Sequence, residues 1–201
     1  MPGAPAVAVG GRAVHGWNPT AYAELLGVAY KPPAQLSPKE LAARQDRILE
    51  SAARLLSQIP DDKITWSPPE RNRTLRQLGF HVFRLSLAFV EAMDRGELPK
   101  GWLDEAAPAE LADGRAIARY GELVRGRLAG WFEGAAASEF DRTIDVYYGP
   151  QSSHDLLERT TWHAAQHLRQ LYALADRLGI TPREPIPVDQ FRGLPMPEAL
   201  W

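Results

Sequence analysis

The stretch "ERTTWHAAQHLRQLYALADRLG", residues 158–179, has the composition of one long helix: Ala, Leu, Gln and Arg dominate, no proline interrupts it, and a glycine stands at its end. Leu156, Leu171 and Leu174 fall on a single helical stripe. His163 and His167, four residues apart, fall on the same stripe and should face inward with them. Positions so spaced are separated by about 6 Å along the axis and about 40° around it, so two imidazoles can converge on one point. Two readings fit this pair. Either it holds a metal ion, or both rings pack and hydrogen-bond on an inward helix face.

Working outward, three more segments carry the same kind of signal. Residues 38–58 open at Ser37 with Glu40 three positions on, a capping box, and repeat Leu41, Ile48, Ala52, Leu55 and Ile59 at helical spacing. Thr74 is placed to cap "LRQLGFHVFRLSLAFVEAMDRG", whose stripe runs Leu78, His81, Leu85, Phe89. A third helix is expected over 109–131, with weaker periodicity and several glycines. The joints "PDDKITWSPPERNR", "ELPKGWLDEAAP" and "GAAASEFDRTIDVYYGPQSS" are rich in helix breakers, the last allowing a short extended piece over 143–148. Four amphipathic segments joined this way predict a mainly α protein built as a four-helix bundle. His81, on the leucine stripe of a second helix, is available as a third corner to the histidine pair.

The ends read differently. In residues 1–30, "AVAVGGRAVHG" brackets Gly10-Gly11 with strand formers, the sign of a tight hairpin; a short helix follows, with Asn18 as cap, Pro19 first and Gly27 beyond it. This predicts a small β-hairpin plus helix appendage, separated by the Pro-rich "YKPPAQLSP" from a bundle over 31–180. The tail 181–201 should wrap the surface without regular structure.

Composition excludes several chemistries. With no cysteine, there is no disulfide, no protein thiolate nucleophile, no Cys-held zinc and no iron–sulfur cluster. A formal net charge of −2 gives no footprint for nucleic acid, and no run approaches the roughly 20 apolar residues that span a bilayer. The N-terminus does not read as a signal peptide, so a cytoplasmic location is expected.

"TLRQLGFHVFRLSLAF" at 74–89, followed by "RTTWHAAQHLRQL" at 159–171, resembles the DinB/YfiT-like superfamily over about residues 37–180. The resemblance implies a four-helix bundle with one metal-ligating histidine in helix two and an H-x-x-x-H pair in helix four. Its ligands here are His81, His163 and His167. It also implies a divalent cation, zinc by ligand set, with nickel, iron or manganese as alternatives. Characterised relatives include bacillithiol-dependent S-transferases and mycothiol-dependent isomerases. The implied activity is therefore metal-dependent transfer involving a low-molecular-weight thiol, with metal-bound water or thiolate as the reactive group. A metal-dependent hydrolase and a non-catalytic module with a structural ion are the alternatives. Arg84, Arg159 and Gln170 stand one turn or less from the three histidines and are candidate substrate contacts. Asp145, Tyr147 and Tyr148 could border the pocket by position. His15 and His154 read as structural or surface residues.

"APAVAVGGRAVHGWNPTAYAELLGV", residues 4–28, resembles the last strand pair and helix of glutaredoxins, with Pro5 at the family's cis-proline. The redox cysteines of that family are absent, so thiol–disulfide exchange is excluded. The free edge of such a hairpin is an expected contact with a second copy. Light scattering on a chain beginning at Lys31 tests this homodimer; a dimer that persists unchanged counts against the hairpin as its interface.

Overall fold

The computed structural model describes residues 6–15, 18–31 and 34–200. Pro5 and the His15 side chain lie outside the described residues. Five α-helices run Pro19–Leu26 (α1), Pro38–Leu56 (α2), Leu75–Arg95 (α3), Gly114–Gly134 (α4) and Ser153–Arg177 (α5). The strands are Ala6–Val9 (β1), Arg12–His15 (β2), Glu97–Leu98 (β3), Thr143–Val146 (β4) and Gln151–Ser152 (β5).

The local signals act as expected at most helix starts. Ser37 and Glu40 form the reciprocal capping box of α2, Thr74 caps α3, and Asn18 caps α1, with Gly27 left-handed beyond its end. Gly10 and Gly11 both take positive φ, 53° and 81°, as a two-residue hairpin turn requires, and β1 pairs with β2 antiparallel.

Helices α2–α5 form the bundle. Each of α2 and α3 packs against both α4 and α5, so α2 and α3 occupy one diagonal and α4 and α5 the other. The inward stripes meet in a core that includes Leu41, Ile48, Leu56, Phe83, Phe89 and Leu171. Close approach fixes α4: a Cβ on Gly114 would stand 2.1 Å from the Leu56 carbonyl oxygen, and one on Gly121 would stand 2.4 Å from the Phe83 ring. Gly114 and Gly121 are therefore where its neighbours come nearest, whereas Gly126, Gly130 and Gly134 face open space.

Three sequence expectations need correction. The third bundle helix begins at Gly114, not near 109, because Asp113 takes the cap position and accepts from Ala116 N–H. The extended piece over 143–148 is strand only over Thr143–Val146, yet it is the centre of a three-stranded sheet, parallel to β3 and antiparallel to β5. The tail is more than surface wrapping: it has a 3₁₀ turn at Val188–Phe191, buries Ile186 and Leu194, and is held by Arg44 through the Asp189 and Gln190 carbonyls.

The small sheet sets the level of the histidines. β3 follows α3 directly and β5 precedes α5 directly, so the end of α3 is tied through β4 to the start of α5. From residue 81 to the end of α3, and from the start of α5 to residue 167, the chain runs fourteen residues in each case. At 1.5 Å per residue both positions lie about 21 Å from the shared strand end, on adjacent antiparallel helices.

Candidate metal centre

α3 contributes His81 and α5 contributes His163 and His167, and the three rings meet. Centroids are 4.7 Å apart for His163 and His167, 4.9 Å for His81 and His167, and 6.1 Å for His81 and His163. One ring nitrogen from each lies within 4.8 Å of the others. Bonds of about 2 Å to a common ion place two ligand atoms no more than about 4 Å apart, so small ring rotations close the set. Leu156, Leu171 and Leu174 are fully buried on the same face of α5.

The tautomer of His167 follows from its neighbours. Gln170 Nε2 donates to the Leu200 carbonyl at 2.8 Å, which turns Gln170 Oε1 toward His167 Nδ1, also at 2.8 Å. An amide oxygen can only accept, so Nδ1 carries the proton and Nε2 carries a bare lone pair. That Nε2 is buried without a hydrogen-bond partner. An orphaned imidazole nitrogen beside two other histidines is a donor arrangement that a cation satisfies.

Electrostatics keep the cluster neutral. Burial lowers the pKa of His81 to about 3, helped by the neighbouring His167 and Arg73. Burial likewise lowers His167 to about 4, against a raising effect of the Gln170 hydrogen bond. His163 falls well below the usual range, through burial and the charges of the other two histidines, Arg159 and Arg73. Imidazoles held unprotonated at neutral pH present lone pairs, as metal ligation requires.

The sequence matches the family model described as the DinB superfamily over residues 40–171, about two thirds of the chain. The chain belongs to the DinB superfamily. A crystal structure of a DinB-like protein from Bacillus subtilis, YjoA, is similar at TM-score 0.57 and 16% identity, over 70% of this chain and 92% of that one. YfiT from Bacillus subtilis, described as "a probable metal-dependent hydrolase with an unusual four-helix bundle topology", is similar at TM-score 0.53 and 19% identity, over 77% of this chain and 96% of that one. At these identities the likeness is one of fold. No match was found among curated proteins. The DinB match begins at residue 40 and leaves β1, β2 and α1 outside it.

Within this DinB bundle the three candidate substrate contacts separate. Arg84 is not free to clamp a ligand: it is buried, makes a two-point contact with Glu105 at 2.6 and 3.0 Å, and pairs with Glu91 at 2.9 Å. It fastens the connection after α3 to the helix. Gln170 is also committed, between His167 and Leu200, so it orients a histidine and does not await a substrate. Arg159 lies over the Tyr148 ring at 4.3 Å and near Trp162 at 5.8 Å, with both aromatics beside it in the wall of a cavity of about 450 Å³. Tyr148 borders this cavity, whose lining includes none of the three histidines, and Tyr147 is exposed. His154 donates to the Leu36 carbonyl at 2.8 Å, a structural role.

Two features escaped the sequence reading. The orienting partner of His167 is the Gln170 amide, detectable in that role as a polar residue one turn after a ligand. Arg73, just before α3, acts electrostatically on all three histidines; it lies outside any periodic pattern.

The depressed histidines make acid stability a test of their burial. Each has a folded pKa below its unfolded value near 6.5, so the unfolded chain binds protons first as pH falls. The stability is intact above pH 6.5 and is lost progressively toward pH 4, by up to about 1.4 kcal/mol per pH unit for each such group. Thermal melts of metal-free protein from pH 7.5 to 4.5 should show this loss. A His81→Gln, His167→Gln double variant should flatten the same slope; an unchanged slope would place the acid sensitivity elsewhere.

Proposed function

We propose that the protein binds one divalent cation through His81, His163 and His167 and uses it in transfer of a low-molecular-weight thiol to a small electrophile. The bare, buried Nε2 of His167 between two other imidazoles is the observation that carries this reading. Zinc suits three neutral nitrogens best, and nickel, iron or manganese accept the same donors. Bound there, the cation supplies positive charge that favours the thiolate over the thiol, or hydroxide over water, at neutral pH. Three protein ligands leave a position for such a group, the arrangement of a catalytic centre and not of a closed structural one.

The protein's own groups have defined parts. Gln170 fixes the His167 tautomer, the leucines of α5 exclude water from behind the ring, and Arg159 offers a cation at the cavity wall. The thiol gives up its proton to solvent and its sulfur forms the new bond to carbon as the carbon–halogen or ring carbon–oxygen bond breaks. The electron pair leaves with the halide, or stays on the ring-opened oxygen, which takes a proton from water. A cytoplasmic location and small-molecule partners belong to the same reading. Zinc-loaded protein should form conjugates from bacillithiol, mycothiol or glutathione and a reporter halide or epoxide, and His163→Ala should not. No metal-dependent turnover with any thiol would defeat the transferase. The likeness to YfiT favours a second reading, metal-dependent hydrolysis, which needs no thiol and would appear as metal-dependent ester or amide cleavage without one.

A further inference from the structure

Among the arginines around the histidine cluster, most are consumed by the fold. Arg76 donates to the Leu111, Ala107 and Pro108 carbonyls, and Arg84 is held by Glu91 and Glu105. With the Gln77 amide, which accepts from Ala107 N–H at 3.1 Å, these residues pin the connection from Leu103 to Ala107 against the start of α3. That connection and the loop before α3 enclose a cavity of about 310 Å³ that opens onto His81.

Arg73 lines this cavity together with Asn72, Gln77 and Asp104. Among the described residues nothing hydrogen-bonds or ion-pairs with its guanidinium; Asp104 acts on it only at longer range. Beyond the histidines themselves, the charges that act on the cluster come from Arg73, Arg71 and Arg159, all positive. A divalent cation held by neutral imidazoles would add two more positive charges to the same small volume. Such a centre attracts anions, and a guanidinium with unused paired donors fits the two oxygens of a carboxylate.

We propose that Arg73 is the anion-binding residue of the centre and that the cavity beside His81 admits a small molecule bearing a carboxylate in addition to the atom that meets the ion. This deepens the function proposed above, rests on its metal site, and names the ligand class for it. Arg73 replaces Arg84 in the role of carboxylate clamp, because Arg84 is buried and already held between Glu91 and Glu105.

Cobalt-substituted protein provides the test, since thiolate binding to Co²⁺ gives a near-ultraviolet band that can be titrated. The probes are 3-mercaptopropionate, which carries a carboxylate, and 2-mercaptoethanol, which does not. The ratio of their affinities should fall about tenfold or more from wild type to Arg73→Gln, the size of one lost charge-assisted hydrogen-bonded contact. Binding of 2-mercaptoethanol should persist in Arg73→Gln and change less than that of 3-mercaptopropionate, and cobalt content by elemental analysis should match wild type, which shows the centre itself to be intact. Arg73→Lys should recover part of the preference, as a point charge without paired donors. An unchanged ratio in Arg73→Gln would overturn the assignment while leaving the metal site standing. A wild-type protein that takes up no cobalt by elemental analysis would instead overturn the metal site, and the anion site with it.

Discussion

Replacing His167 by alanine should abolish stoichiometric zinc uptake, weakening affinity by roughly a thousandfold or more, because one of three protein bonds to the ion is lost. The readout is elemental analysis after dialysis, beside thermal melting with and without added zinc. In wild type, zinc at about a thousand times its dissociation constant stabilises the folded state by about 4 kcal/mol, on the order of 10 °C in a chain of this size. That zinc-dependent increment should vanish in the variant. The absolute melting temperature is less diagnostic. Alanine opens a cavity, which destabilises, but it also removes a buried nitrogen without a partner, which stabilises. Equal zinc binding by wild type and variant would refute the shared site.

Gln170→Leu should weaken zinc binding by about 10- to 100-fold, the usual cost of losing a residue that orients a metal-bound histidine. Leucine cannot accept from His167 Nδ1, so the proton is free to move to Nε2, where it would block the ion. Gln170→Glu separates orientation from packing. A carboxylate still accepts from Nδ1 and makes the imidazole more basic, so zinc affinity should be retained or increased even though the hydrogen bond to Leu200 is lost. If both variants weaken binding equally, Gln170 acts through packing and the proposed relay is wrong.

Much of this molecule is legible in its sequence because the decisive interactions are local. A capping box, a Gly-Gly turn and an inward stripe each involve residues within a turn or two of one another, and Ser37, Gly10 and Leu171 behave accordingly. The histidine pair belongs to this class, and the match with His81 follows once α3 and α5 are neighbours. What stays hidden depends on contacts distant in sequence. Arg84 looked available beside His81, but Glu105, twenty-one residues on, turns back to take its guanidinium. The strands of the small sheet are as short as two residues, below the length at which alternation is recognisable. Arg73 sits in a loop, where no period marks which way a side chain faces.

The hold of the tail on α5 gives the last few residues a reach beyond their own surface. Gln166 donates to the Ala199 and Leu200 carbonyls, Arg169 to those of Pro197 and Glu198, and Gln170 to Leu200. The final contact is only two hydrogen bonds from the orphaned face of His167. If the three histidines hold a cation as proposed, whatever docks on or peels away this strap would be sensed there, and the affinity of the site for that cation would report whether the strap is seated.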